Sequence, residues 1–296
     1  MSGMMFFRWA IPSLCWGAGI VLIAARVFAA NPASEALVQE GNTAYKKGDR
    51  TGAVKIFTQA IAADGSNVIA YYNRGRIQEV LSNFEEAYAD YNALLRIKPD
   101  HIQGLFLRGD MNLRMGRFAD AIADYDMSLQ LNPKLEVRHW KRGIAYYFAG
   151  RYEDGRRQFE KCLKAETNDV ENALWHFACV ARAAGPEKAR AALVTVEPNR
   201  RLPLNEAMLQ LHAVYSGATK PEELLASTPG MDATLDNSTD RAIYTSFFLG
   251  LYYEATGQPG KALECFEKTG RMTKRGHNLG DLARLRVAEG KKAAKP

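Results

Sequence analysis

Cysteine is scarce in this chain, which has four cysteines among 296 residues. Cys15 lies in an N-terminal segment that we predict to be removed, and the other three are Cys162, Cys179 and Cys265. Three thiols cannot all pair within one chain, and no two of the four stand at the spacing of a CxxC motif. A disulfide-stapled fold is therefore excluded. We expect buried, reduced cysteines on helices, with one bridge as the alternative.

The chain also lacks the residue patterns of common catalytic and metal sites. Its five histidines include no pair at i and i+4, so an HExxH metal site is absent, and no GxSxG, Walker-type or GxGxxG motif occurs. Asp120, Asp124 and Asp126 share one predicted helix, and we expect them to form a solvated face. We therefore predict no catalytic, cofactor-binding or metal-binding residue, and no enzyme.

Positive charge is in excess, with 39 Lys and Arg against 33 Asp and Glu, a net charge of +6 and a pI near 9.0. The excess is local, because residues 271–296 hold eight basic and two acidic residues and the first 29 residues hold Arg8 and Arg26 with no acid. We predict a neutral body with a solvated basic end, for which weak contact with an anionic surface is an alternative. No nucleic-acid partner is expected, because the aromatic-basic interleaving of RNA-binding modules is missing.

The first 29 residues have the order of a secretory signal, which is basic, apolar and cleavable. Arg8 precedes the uncharged residues 9–25, and Val27-Phe28-Ala29 offers a cleavage site. We predict a signal peptide at residues 1–29 and an exported chain, periplasmic or extracellular. The alternative is an uncleaved membrane anchor, since the uncharged stretch spans about 26 Å as a helix, at the short end for a membrane span. Lipidation at Cys15 is not expected, because a bulky leucine precedes it.

A 34-residue repeat dominates the first half of the chain. Four glycines fall 34 residues apart, a small residue follows each by twelve positions, and an aromatic residue follows each by sixteen. The four glycines are Gly41, Gly75, Gly109 and Gly143. The small residues are Ala53, Ala87, Ala121 and Gly155, and the aromatic residues are Phe57, Tyr91, Tyr125 and Phe159. The apolar spacing predicts two helices per unit, in close contact at the glycine. One hairpin cannot bury its apolar face alone, so the units 34–67, 68–101, 102–135 and 136–169 are predicted to stack into an all-α superhelix.

This register resembles the tetratricopeptide (TPR) repeat, whose pattern includes L-G-x2-Y and A-x3-F. The resemblance implies an α-α superhelical solenoid. A further copy begins at Leu249-Gly250, with Tyr253 and Phe266 in register, so we predict a fifth TPR-like unit at 241–270. Residues 170–240 are predicted to form degenerate helical hairpins, and residues 271–296 a basic C-terminal helix and tail.

The order of these units is similar to that of the NlpI family of bacterial envelope lipoproteins. The similarity is carried by residues 141–147 (KRGIAYY), by Ala173-Leu174-Trp175 and by residues 248–253 (FLGLYY). It implies a homodimeric adaptor that docks peptidoglycan hydrolases and a periplasmic protease. The missing lipidation site departs from that family and puts outer-membrane anchoring in doubt.

In a TPR-like superhelix, the first helix of each pair lines the inner groove. Side chains three before, one after and four after the glycine face inward. We predict a groove that binds a protein or peptide through Tyr72, Arg76, Phe106, Asp110, Trp140, Ile144 and Tyr147. The alternative is a self-associating, dimeric envelope protein whose groove is filled by its own C-terminal region. The carboxylate clamp of some TPR proteins is not expected, because Val38, Gln103 and Leu107 occupy its basic positions.

Overall fold

The computed structural model describes residues 31–196, 203–234 and 239–293, so the predicted signal segment lies outside the described residues. These residues form fifteen α-helices and one 3₁₀ helix, and no strand occurs among them. They belong to one compact unit that begins at Asn31. Successive helices pack in adjacent pairs, which confirms the prediction of an all-α solenoid.

Eight helices form four pairs over residues 32–165. The first helices of the pairs are α1 (Pro32–Lys46), α3 (Val68–Val80), α5 (Ile102–Arg114) and α7 (Trp140–Phe148). The second helices are α2 (Arg50–Ala63), α4 (Phe84–Ile97), α6 (Phe118–Leu131) and α8 (Tyr152–Ala165). A 3₁₀ helix at Pro133–Arg138 precedes α7.

Seven further helices complete the described chain. The first four are α9 (Val170–Ala184), α10 (Pro186–Ala192), α11 (Pro203–Ser216) and α12 (Pro221–Ser227). The glycine register returns in the next pair, α13 (Asp240–Ala255) and α14 (Pro259–Met272). The last helix, α15, runs over Asn278–Ala293 and packs against α14.

The repeat glycines let the two helices of a pair touch. A Cβ atom at Gly75 would lie 2.7 Å from Cε1 of Tyr91, and one at Gly250 would lie 2.8 Å from Cε1 of Phe266. Both aromatic rings are buried. The ring sixteen positions after each glycine thus fills the space that a side chain would need, which explains the strict register.

An arginine before the glycine ties neighbouring units together. Nη2 of Arg74 donates to Asp90 at 2.6 Å within the same unit, and Nη1 donates to the Thr58 hydroxyl of the preceding unit at 3.0 Å. Arg108 pairs in the same way with Asp124 at 2.5 Å. The expectation of a solvated face is therefore wrong for Asp124, because the Arg108 guanidinium compensates the charge of its buried carboxylate.

The largest apolar core joins the fourth helix pair to α9 and α13. Trp175 is fully buried at its centre. Its ring stacks on Phe159 with centroids 6.3 Å apart, and it also meets Tyr147 at 5.5 Å and Phe247 at 5.9 Å. The helices after residue 170 therefore continue the same packed body as the repeats.

Neither disulfides nor membrane spans organise the described residues. Cys162, Cys179 and Cys265 are all buried free thiols. Burial raises the pKa of the Cys265 thiol to about 11, so this thiol is protonated at neutral pH. Among the described helices, none is both long and apolar enough to cross a membrane.

Candidate partner-binding surface

The inner face is the side of α1, α3, α5 and α7 that carries the predicted groove residues. Four of those seven side chains reach solvent, because Arg76 and Trp140 are exposed and Tyr72 and Phe106 are half-buried. Tyr72, Phe106 and Trp140 stand at the same register position of three successive units. We call these three residues the aromatic ladder.

The ladder rings are held in place by their neighbours. The Tyr72 ring lies 5.9 Å from the ring of His101. Nζ of Lys141 lies 4.9 Å from the centroid of Phe106 and 5.5 Å from that of Trp140, within cation–π range of both. Side chains that are already ordered lose less conformational entropy on binding, so the ladder is suited to contact with a partner.

Further apolar side chains extend the ladder. Tyr45, Ile69, Val80 and Val137 are 44, 59, 48 and 42 % exposed, respectively. Ile69 precedes Tyr72 by three positions and Val80 follows Arg76 by four, all on α3, so they share a helix face. Val137 precedes Trp140 by three positions but lies on the 3₁₀ helix that comes before α7. Applying the inner-face rule one turn further in each direction would have named Ile69, Val80 and Val137 from the sequence.

Asp110 is enclosed rather than open. It is 4 % exposed, accepts a hydrogen bond from the Tyr125 hydroxyl at 2.7 Å and forms an ion pair with Lys141. Burial and the Asp110 carboxylate raise the pKa of Tyr125 well above its usual value, so the phenol remains a donor. Asp110 therefore links α5, α6 and α7 and is not free to meet a partner.

Ile144 and Tyr147 are also enclosed, with 2 % and 0 % exposure. The Tyr147 hydroxyl donates to Oε1 of Glu254 on α13 at 3.0 Å. Burial, followed by the Glu254 carboxylate, raises the pKa of Tyr147 well above its usual value. Ile144 and Leu282 of α15 line one small void of about 30 Å³. The later part of the predicted groove is thus filled by α13 and α15 of the same chain.

Charged side chains hold α15 against the inner face. Asp281, 5 % exposed, accepts a hydrogen bond from Nη1 of Arg114 at 2.5 Å. Farther along α15, Nε of Arg286 lies 3.2 Å from a Glu254 oxygen, and the guanidinium lies 4.1 Å from the centroid of Phe148. The expectation of a solvated basic end is therefore wrong for Arg286, because acidic and aromatic groups of the repeats enclose it.

The segment before α15 reaches back to the second unit. The Ser82 hydroxyl donates to the carbonyl oxygen of Arg275 at 2.8 Å, across 193 positions of sequence, and the Arg275 side chain pairs with Glu85 at 3.2 Å. Ser82 has a φ of 62°, in a turn where the other three repeat units have glycine with positive φ. The side chain in place of glycine thus supplies the hydroxyl that connects the two segments.

The seven predicted site residues therefore divide into four on the open surface and three that are enclosed. Asp110 is enclosed by side chains of α6 and α7, and Ile144 and Tyr147 by α13 and α15. Their role in partner binding stays a prediction. The groups that hold α15 were missed from the sequence. Glu254 lies four positions after Gly250, so the inner-face rule applied to the fifth unit would have found it. The pair of Arg114 and Asp281 spans 167 positions and leaves no periodic signal.

The side chains of the inner face supply apolar contact area and hydrogen-bonding groups. Among the described residues, no group of three or more His, Cys, Asp or Glu side chains could hold a metal ion. Burial lowers the pKa of His139 to about 4, so its ring is neutral at physiological pH. The ring packs edge-on against Tyr125, and its Nε2 lies 3.1 Å from the Ser128 hydroxyl.

The paired helices and their inner face define a helical repeat protein of the solenoid class. Residues 38–102 match the tetratricopeptide repeat family. A crystal structure of a tetratricopeptide repeat protein from Parabacteroides merdae has the same fold, with a TM-score of 0.59 and 19 % identity over 86 % of this chain and 99 % of that chain. MamA from Desulfovibrio magneticus RS-1 aligns with a TM-score of 0.51 and 14 % identity over 55 % of this chain and 92 % of that one.

Short stretches of this chain are similar to stretches of curated proteins. The STIP1 homolog of Dictyostelium discoideum is 40 % identical over 65 residues, which is 22 % of this chain and 12 % of that protein. The heat shock protein sti1 homolog of Schizosaccharomyces pombe is 34 % identical over 76 residues, which is 26 % of this chain and 13 % of that protein. The chain thus spans about an eighth of the length of these relatives.

Proposed function

We propose that the chain is a scaffold, without catalysis of its own, that binds an extended segment of a partner protein along the aromatic ladder. The observation that carries this proposal is the row of aromatic side chains that reach solvent, with Trp140 36 % exposed and Tyr72 and Phe106 half-buried. Aromatic side chains bury large areas at low entropic cost, and a central one contributes about 2 kcal/mol or more to an interface. The TPR fold supports the same role.

The partner segment is expected to be apolar or aromatic rather than strongly charged. Arg76 has Glu79 at 3.8 Å, and Lys141 pairs with Asp110, so the charges along the ladder are compensated within the chain. The adjoining exposed side chains, such as Ile69 at 59 % exposure, are aliphatic. Burying them against apolar groups of a partner would stabilise the complex by about 25 cal/mol for each Å² removed from water.

The proposed setting is the cell envelope. The basic, apolar and cleavable order of residues 1–29 supports export to a periplasmic or extracellular space, with the uncleaved anchor as the alternative. The resemblance to the NlpI family supports peptidoglycan hydrolases or an envelope protease as partners, and a homodimer as the assembly. Intact-mass analysis of the protein from its host tests the export step, and the expected species begins at residue 30.

Affinity capture from envelope extract tests the ladder. A partner retained by the wild-type chain should be lost on the double variant Tyr72→Ala, Trp140→Ala, with at least a 100-fold drop in affinity. The matched control is Ile97→Ala, Met127→Ala, because these side chains on the second helices of their pairs are 39 and 45 % exposed. Equal capture by the two double variants would contradict the assignment of the ladder.

Self-association is the second candidate function, and one observation favours part of it. The inner face beyond Trp140 is already filled by α15 of the same chain, as the self-filling alternative requires. If α15 fills this site in cis, light scattering of the full chain should give a monomer, and Leu282→Asp should change the mass little. A dimer that dissociates on Leu282→Asp would favour an exchange of α15 between two copies.

A further inference from the structure

A cavity of about 380 Å³ lies where α15 and the segment before it meet α4, α5 and the turn between α5 and α6. Its wall carries four arginines and two acids: Arg114, Arg117, Arg275, Arg284, Glu85 and Asp281. We call it the arginine cavity. With every group ionised, its charged side chains carry a net charge of +2, in a body that is otherwise close to neutral.

One of the two acids is already fully engaged. The Asp281 carboxylate accepts hydrogen bonds from Arg114 at 2.5 Å, from Arg284 at 2.8 Å and from the backbone N–H of Gly276 at 3.2 Å. Arg284 also donates to the carbonyl oxygen of Lys274 at 2.9 Å. Arg114 and Arg284 therefore share the single carboxylate of Asp281 and carry a net charge of +1 with it. The remaining arginines, Arg117 and Arg275, carry the other +1 together with Glu85.

Those remaining arginines, Arg117 and Arg275, are exposed and rest on aromatic rings. The guanidinium carbon of Arg117 lies 5.1 Å from the ring centroid of Tyr88. The guanidinium carbons of Arg275 and Arg114 lie 4.9 and 5.3 Å from the centroid of one ring, that of Phe84. Stacking fixes the plane of a guanidinium and leaves its N–H groups able to donate.

We propose that the arginine cavity binds an anionic oxygen group, a carboxylate or a phosphate, through Arg117 and Arg275. Planar guanidinium groups match both anions with paired, charge-assisted hydrogen bonds. The source is either an acidic group of a bound protein or a free phosphate compound. Arg114 also lines the void beside Trp140, so the anion site adjoins the aromatic ladder. Binding of a small anion does not require that the ladder hold a partner.

Substitution of Glu85 should have the opposite effect on anion binding to substitution of the arginines. It is 62 % exposed and lies 3.2 Å from Arg275, which is 58 % exposed. A surface ion pair of this kind contributes only about 0–1 kcal/mol, so an incoming anion can displace it. Removing the Glu85 charge should therefore strengthen anion binding, whereas removing either exposed arginine should weaken it.

Isothermal titration calorimetry of the full chain tests the proposal, with inorganic phosphate in one arm and succinate in the other, at constant ionic strength. At least one anion should bind. Arg117→Gln and Arg275→Gln should each weaken it about tenfold, and Glu85→Gln should strengthen it several-fold. Arg157→Gln is the matched control, because Arg157 is 56 % exposed and pairs with Asp154 on α8, away from the cavity.

The two arms identify the ligand. Tighter binding of phosphate supports a phosphate compound, and tighter binding of succinate supports an acidic group of a protein. The proposal is overturned if neither phosphate nor succinate binds. It is also overturned if Arg157→Gln lowers the affinity as much as Arg117→Gln and Arg275→Gln do. The double variant Tyr72→Ala, Trp140→Ala leaves the residues of the arginine cavity unchanged. Anion binding and partner capture are therefore tested independently, and one can fail while the other holds.

Discussion

Replacement of Asp281 by alanine should release α15 from the inner face. The Asp281 side chain is 4 % exposed and accepts hydrogen bonds from Arg114, from Arg284 and from the backbone N–H of Gly276. Alanine removes all three contacts. It also leaves the Arg114 guanidinium, 13 % exposed, without the carboxylate that compensates its buried charge.

The expected loss of docking free energy is about 3 kcal/mol. Removing one partner of a buried ion pair costs about 3–5 kcal/mol. The lower end applies here because Arg284 is 35 % exposed, so water can replace part of its contact. A loss of 3 kcal/mol raises the equilibrium constant for local opening of α15 by more than about 100-fold.

Native-state hydrogen exchange of the full chain measures this opening. Amides of α15 should exchange about 100-fold faster in Asp281→Ala, and amides of α2 should keep their rates. Asp232→Ala is the control, because Asp232 is 98 % exposed and pairs with Lys268 at 3.7 Å, so it should change exchange little. Less than a threefold effect of Asp281→Ala on α15 would refute the reasoning that buried charge pairs hold this helix.

Three smaller effects are expected from packing and from buried titratable groups. Gly75→Ala should lower the free energy of unfolding, measured by urea denaturation, by about 1–3 kcal/mol, because the new Cβ would lie 2.7 Å from Tyr91. Gly65→Ala is the control and should be nearly neutral, because a Cβ atom there has no other atom within 4 Å. Burial raises the pKa of Glu171 to about 7, so the folded state keeps a proton that the unfolded state releases, and this contribution to stability falls as the pH rises from about 4.5 to 7. Burial lowers the pKa of His139 to about 4, so the unfolded state takes up its proton first, and this contribution falls as the pH drops from about 6.5 to 4. The two slopes oppose each other, so each is measured as the difference between wild type and Glu171→Gln or His139→Gln in urea denaturation over pH 4–8. A pH-independent difference would contradict the assigned shift.

The helix pairs could be predicted from the sequence because their determinants are local and repeated. Gly75 and Tyr91 are sixteen positions apart, and the same spacing recurs at Gly109 and Tyr125. Each such pair specifies a close helix contact without reference to the rest of the chain. The register alone therefore predicts helices, turns and the stacking of units.

The sequence left two alternatives for the inner face, an open groove or one filled by the C-terminal region, and it could not decide between them because distant segments determine the outcome. Tyr72 and Tyr147 both stand on first helices at inner-face positions, yet Tyr72 is half-buried and Tyr147 is fully enclosed. The difference arises from Glu254 on α13 and Arg286 on α15, more than a hundred positions after Tyr147. Periodicity within a unit carries no information about which later helix returns to cover it.

Site-specific photocrosslinking tests the central claim most directly. A photoreactive phenylalanine analogue is placed at residue 72, 140 or 127 of the full chain and irradiated in the presence of the captured partner. The account predicts crosslinks from residues 72 and 140 to one segment of the partner and none from residue 127, where Met127 is 45 % exposed on α6. Crosslinks from residue 127 together with silence at residues 72 and 140 would contradict partner binding along the aromatic ladder.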